Sequence, residues 1–168
     1  MKLLLVASGL LVALVLLVLV VGWMLPVQHR AVRSATLPAT AEQVWSLITD
    51  VDAFPSWRSD VKSVTRLPDR GGQMVWVEEG SNGRMTMAVE RSEAPRQLVS
   101  RIADPDLPFG GTWTYVIAPA SNGTTLSITE DGEVYNPIFR FMSRFVFGHD
   151  ATMAAYLSAA QKKLNAAK

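Results

Sequence analysis

The sequence predicts an α+β protein: an apolar N-terminal helix, then a strand, two short helices, six more strands in an antiparallel meander, and a long C-terminal helix. Three observations carry this prediction. Residues 3–25 are apolar and uncharged. Residues 61–134 break into short alternating or β-branched segments separated by Gly, Asn and Pro. Asn136-Pro137 then opens a stretch with helical periodicity. Of the 168 residues, 1–25 are read as an N-terminal transmembrane anchor, and 26–168 suffice for one domain but not two.

Residues 3–25 contain only Leu, Val, Ala, Gly, Met, Trp and one Ser, enough to cross about 30 Å of hydrocarbon as a helix. A cleaved signal peptide is the rival reading. Its apolar core normally runs to about 7–15 residues and is followed by a small-x-small site, which the exit Gly22-Trp23-Met24-Leu25-Pro26 does not offer. An uncleaved, single-pass anchor is therefore expected. Lys2 on one side competes with Arg30 and Arg33 on the other, so charge leaves open which membrane face carries the domain.

Composition narrows the function classes. With 49% hydrophobic residues, 18% charged residues and a net charge of +1, neither a disordered chain nor a nucleic-acid partner is expected. The absence of cysteine removes disulfides, thiolate metal sites and cysteine nucleophiles. Two histidines, His149 and, at the membrane exit beside Arg30 and Arg33, His29, with no local carboxylate cluster, argue against a protein-built metal site, and no cofactor is expected. The sequence carries no signal of oligomeric state.

Each element of the domain has a local cause. Residues 27–37 read as a first strand. In Thr40-Ala41-Glu42-Gln43, Thr40 can cap the amide of Gln43 while the Gln43 side chain reaches back, and Val44, Leu47 and Ile48 follow at helical spacing. Asp50 to Trp57 forms a second short helix or turn, because Pro55 biases its predecessor away from helix. Strands are expected at 61–67, 73–79, 84–91, 97–103, 111–118 and 124–134. Between them lie Gly71-Gly72, Asn82-Gly83, Pro95, the segment 104–110 and Asn122-Gly123. At Asn136-Pro137 a cap precedes a proline whose missing amide is no loss at a helix start.

This order resembles the START-like, or SRPBCC, helix-grip superfamily, which includes a polyketide cyclase/dehydrase and lipid-binding-like group. The stretches that carry the resemblance are Pro38 to Trp45, Asp50 to Trp57, Gly111-Thr112-Trp113-Thr114-Tyr115 and Asn136-Pro137. The resemblance implies a helix-grip fold for 26–168: a curved antiparallel sheet of about seven strands wrapped around the C-terminal helix, with an elongated apolar cavity between them. The family has no shared catalytic signature, so the resemblance implies a cavity and not a reaction. An attached membrane helix departs from its commonest soluble members.

Strand alternation nominates the cavity wall. Met85 and Met87 share a face with Val89, and Trp113 and Tyr115 share one with Ile117; each set reads either as core or as pocket lining. Trp57 reads as a packing anchor or as a wall at one end. Glu130 shares a face with Leu126 and Ile128, where a carboxylate needs a partner, unless a bulge near Asp131-Gly132 turns it to solvent. On the terminal helix the stripe Ile138, Met142, Phe145, His149, Met153, Tyr156, Ala160 and Leu164 faces the sheet, with a kink or break expected at Gly148. His149 reads as a structural histidine or as an acid/base partner of Glu130. Phe139, Phe141, Phe145 and Phe147 form either a satellite core under 104–110 or an aromatic entrance touching the bilayer, with Arg140 and Arg144 near phosphates.

The expected function is a membrane-anchored binding module for a hydrophobic small molecule such as a lipid, isoprenoid or polyketide-like compound. Its expected ligand-binding residues are Trp57, Met85, Met87, Trp113, Tyr115, Glu130, Phe145, His149 and Tyr156. The alternative is a polyketide cyclase/aromatase-like enzyme with Glu130, His149 and Tyr156 as acid/base groups. A third reading, an interaction protein with a vestigial cavity, requires a volume below a few hundred Å³. The anchor is testable directly: after carbonate washing the full-length protein should stay in the membrane fraction with its first residues intact, and a mature chain starting beyond Pro26 would refute it.

Overall fold

The computed structural model describes residues 2–148 and 150–166. It contains α1 (Lys2–Met24), β1 (Gln28–Leu37), α2 (Ala41–Thr49), a 3₁₀ turn (Val51–Ser56), β2 (Val61–Arg70), β3 (Gln73–Gly80) and β4 (Gly83–Glu93). These are followed by β5 (Gln97–Ile102), β6 (Phe109–Ala120), β7 (Gly123–Val134), α3 (Pro137–Met142), a π-helical turn (Ser143–Phe147) and α4 (Ala151–Asn165). The strands form one antiparallel sheet in the order β1-β7-β6-β5-β4-β3-β2, so the first strand closes against the last. Bulges in β2 and β4 help curve it. This is the helix-grip architecture.

The local causes read from the sequence are present. Thr40 Oγ1 accepts from the Gln43 amide at 3.3 Å and Gln43 Oε1 accepts from the Thr40 amide at 2.9 Å, closing the capping box of α2. Asn136 Oδ1 accepts from the amides of Ile138 and Phe139 at the start of α3. The core joins Leu37, Leu126 and Ile128 of β1 and β7 to Val44 and Ile48 of α2, and to Met153, Tyr156 and Ala160 of α4.

The C-terminal helix is interrupted where Gly148 predicts, and more completely than by a kink. After α3 the backbone widens into the π turn and breaks at Gly148, whose φ of +76° is the left-handed conformation that glycine tolerates. The single inward stripe is corrected by this break. Met153, Tyr156 and Ala160 are buried and Leu164 packs against the core, whereas Ile138 and Phe145 are exposed. Phe139 is also exposed, so Phe139 and Phe145 fill no satellite core.

Helix α3 packs against the end of α1 instead. A Cβ at Gly22 would overlap the Pro137 carbonyl, so glycine is what permits the approach. Arg140 donates from Nη1 to the Leu25 carbonyl at 2.8 Å, satisfying one of the acceptors that a helix leaves open at its C-terminus. Arg140 is therefore buried and engaged by α1, contrary to its expected place beside lipid phosphates; Arg144 is exposed. Arg33 of β1 forms an ion pair with Asp150, the residue preceding α4. Helix α1 is long and apolar enough to cross a membrane, and its leucines from Leu4 to Leu17 are exposed.

Leu126 of β7 is fully buried in the core cluster that also holds residues of α2 and α4. Leu126→Ala should cost about 2–5 kcal/mol, measured by denaturant unfolding of the full chain in detergent micelles.

Candidate functional site

A cavity of about 700 Å³ lies between the inner face of the sheet, the 3₁₀ turn and the broken helix. That volume falls within the range of small-molecule sites and so does not favour the vestigial-cavity reading. Strand alternation decides much of its wall. Met85 and Met87 of β4, Trp113 and Tyr115 of β6, and Glu130 of β7 all line it, while Phe139 and Met142 of α3 close one side.

The β6–β7 register runs without a shift through Trp113↔Glu130 and Gly111↔Gly132. No bulge turns Glu130 outward, and its carboxylate is partly buried. Its Oε2 accepts from Trp113 Nε1 at 2.6 Å and its Oε1 lies 2.9 Å from His29 Nε2. His29 reaches it because β1 pairs antiparallel with β7 and sets the imidazole opposite Gly132, where a Cβ would collide with the ring. The histidine beside Glu130 is thus His29, which the sequence reading left at the membrane exit. His149 lies outside the described residues. The missed signal is one of parity: in β1, His29 shares a face with Ala31, Ala35 and Leu37.

A second polar group sits elsewhere in the wall, unforeseen from sequence. The Arg58 guanidinium is buried, with Nη2 2.6 Å from Asp60 Oδ2 and Nη1 3.2 Å from Glu78. Trp76 Nε1 donates to Glu78 Oε1 at 2.9 Å. Arg58 also lies over the rings of Phe54 and Tyr156, at 4.9 and 5.2 Å from their centroids. Burial pushes the Arg58 pKa down, but Asp60 and Glu78 more than reverse this and hold the charge firmly.

Tyr156 joins α4 to this group. Its ring packs edge-on against Trp57 at 5.2 Å and Trp113 at 5.7 Å, and tilted against Tyr115 at 5.8 Å. Its hydroxyl is buried beside that of Tyr115 and makes no hydrogen bond of full geometry. Trp57 and Tyr156 do not line the cavity but back the aromatic layer that does. Phe145 is 59% exposed, stacked on Phe141, and does not line the cavity. Among the described residues, no cluster of three or more His, Asp or Glu side chains is arranged to hold a metal ion.

Fold and cavity define a helix-grip protein built around an apolar pocket, and comparison with known proteins refines this. The sequence model of the family "Polyketide cyclase / dehydrase and lipid transport" matches residues 28–167. The chain belongs to that family. A START superfamily protein from Mycobacterium smegmatis superposes with a TM-score of 0.66 at 18% identity, covering 83% of this chain and 99% of that one. The Zhui aromatase/cyclase from Streptomyces sp. R1128 gives 0.66 at 15%, covering 82% and 94%. Norcoclaurine synthase from Thalictrum flavum gives 0.63 at 11%, covering 81% and 86%. At these identities the likeness is one of fold. No curated protein matches the chain in sequence.

Burial raises the pKa of both Tyr115 and Tyr156, and the hydrogen bond to Glu133 raises that of exposed Tyr135. Folding therefore opposes ionisation of the buried pair. Their stabilising effect is complete below the unfolded value of about 10 and is lost as pH rises above it, because only the unfolded chain then gives up those protons freely. In an alkaline titration followed by tyrosinate absorbance, Tyr115→Phe and Tyr156→Phe should each remove amplitude only from the late phase that accompanies unfolding. Amplitude lost from an early phase would contradict the packing.

Proposed function

We propose that the chain is a membrane-anchored binding module that holds a hydrophobic small molecule in the cavity between sheet and helix. The observation that carries this reading is the cavity itself: about 700 Å³, walled by Met and aromatic side chains and fitted with two polar groups that could orient a guest. The exposed apolar length of α1 supports the anchor, since a helix apolar on all sides is not accommodated in water. Met85, Met87, Trp113, Tyr115 and Glu130 are the proposed ligand contacts, with His29 added. Trp57 and Tyr156 support them from behind.

The charges narrow the ligand class. Glu78, Glu130 and Glu133 line the cavity, and the basic groups that line it are engaged, Arg58 by Glu78 and Asp60 and His29 by Glu130. A carboxylate guest would meet this excess of negative charge, whereas a neutral or amine-bearing amphiphile would not.

The His29–Glu130 contact favours a second reading, that of an acid/base enzyme acting on a bound polyketide-like compound. In that role Glu130 would orient the imidazole and His29 would move the proton. Tyr156 is poorly suited to it, because burial raises its pKa and the ring stands behind the cavity wall.

Equilibrium binding of matched long-chain alcohol, amine and carboxylate probes to the full-length protein tests both readings. The alcohol and amine should bind at least about tenfold more tightly than the acid, and Met87→Trp should weaken all three by filling the space they occupy. Glu130→Gln keeps the shape and removes the charge. A binding module then retains its affinity for the neutral probe, whereas an enzyme keeps binding its substrate and loses turnover. Unchanged binding of every probe by Met87→Trp would refute the cavity as the site.

A further inference from the structure

We infer that α3 and the π turn lie in the surface layer of the bilayer that α1 enters, so that the cavity wall they form opens toward lipid. This rests on the reading of α1 as a membrane span. It goes further by assigning a second membrane contact, remote in sequence, and a route by which an apolar guest arrives.

The depth of α3 follows from its contacts with α1. Gly22, whose lack of a side chain admits Pro137, lies three residues before Leu25, which is about 4.5 Å back along the helix axis into the span. Arg140 holds the same helix to the Leu25 carbonyl. Helix α3 therefore starts level with the last turn of the span. Trp23 and Met24, both 75% exposed on that turn, mark the height at which amphipathic rings settle among headgroups.

The surface that α3 and the π turn present there is apolar. Ile138, Phe139, Phe145 and Val146 are 42–59% exposed, four large apolar side chains within nine residues, the kind of exposure that marks a contact site. Exposed Arg144 sits among them and can meet a phosphate while its stem covers apolar surface. The patch is continuous with α1 and shares its chemistry, which selects a lipid surface as its occupant. Phe139 belongs to both the patch and the cavity lining, so the same ring faces the surface and the pocket. The π turn and Gly148 behind it break the helix at this wall, where a continuous rod would be stiffest.

The chain has no cysteine, so single-cysteine variants of the full-length protein can each carry one environment-sensitive fluorophore. Three are compared in phosphatidylcholine/phosphatidylglycerol vesicles containing doxyl-labelled lipid: Val12→Cys within α1, Phe145→Cys on the patch and Asp69→Cys, exposed near the end of β2 on the edge of the sheet opposite β1. The probe at 145 should be blue-shifted and quenched by shallow doxyl groups, the probe at 12 by deep ones, and the probe at 69 by neither. A probe at 145 that matches 69 while 12 is quenched overturns the inference and leaves the span standing. An unquenched probe at 12 removes the span, and the inference with it. The entry route is tested separately with Phe145→Asp/Val146→Asp, an exposed pair. It should slow uptake of a neutral probe supplied from vesicles about tenfold, the effect of withdrawing one large side chain from lipid, while leaving equilibrium binding in detergent intact. Unchanged uptake would exclude the patch as the way in.

Discussion

The pairing of β1 with β7 is the constraint on which the other features depend. It joins segments about a hundred residues apart, as the His29–Glu130 contact illustrates at a separation of 101. Three consequences follow from that one register. The imidazole of His29 reaches the cavity carboxylate, Arg33 reaches the foot of α4, and the end of α1 is delivered to the start of α3. Contacts of such separation carry a loop-closure cost that local structure does not, and here the buried side chains of Leu37, Leu126 and Ile128 offset it. A one-residue slip would turn His29 and Leu37 to solvent together, so the cavity wall and the core share a single register.

The C-terminal helix is in two pieces with different roles. Helix α4 covers its part of the sheet with Met153, Tyr156 and Ala160 at close to full burial, whereas α3 packs against α1 and walls the cavity with Phe139 and Met142. Tyr156 sits at the boundary. Its ring meets Trp57, Trp113 and Tyr115 and lies against the Arg58 guanidinium, so the packed and open halves meet at one aromatic residue. The polar wall is tolerable for an equally local reason. Arg58 has two carboxylates and two ring faces, and each oxygen of Glu130 has a nitrogen partner.

Much of this was legible in the sequence wherever the cause was local. The capping box at Thr40, the cap at Asn136, the turn glycines and the alternation in β4, β6 and β7 each act within a few residues, and they placed Met85, Met87, Trp113, Tyr115 and Glu130 on the inner face. What escaped depends on contacts distant in the chain. His29 looked like a flanking charge because its partner lies in the last strand. Arg58 and Glu78 carried no local signal of a site, because their burial beside half-buried Asp60 is decided by how the sheet lies over the 3₁₀ turn. Periodicity put Phe145 on the inner stripe, but the π turn rotates the chain and Gly148 ends the register, so the stripe faces the cavity at Met142, turns outward at Phe145 and is inward again beyond the break. Arg140 illustrates the same limit: its neighbours suggest an exposed face, yet its partner is a carbonyl 115 residues earlier.

Only Leu25, Pro26 and Val27 separate α1 from β1, and the Gly22 and Arg140 contacts clamp even that short connection. Three residues reach about 10 Å when fully extended. If α1 lies in a bilayer, the domain has no tether on which to travel and cannot ferry its guest to an opposing membrane. It would work as a fixed station, its pocket held at one height and in one orientation. Whatever it receives or releases would have to arrive by diffusion within the same leaflet, or in a partner that comes to it.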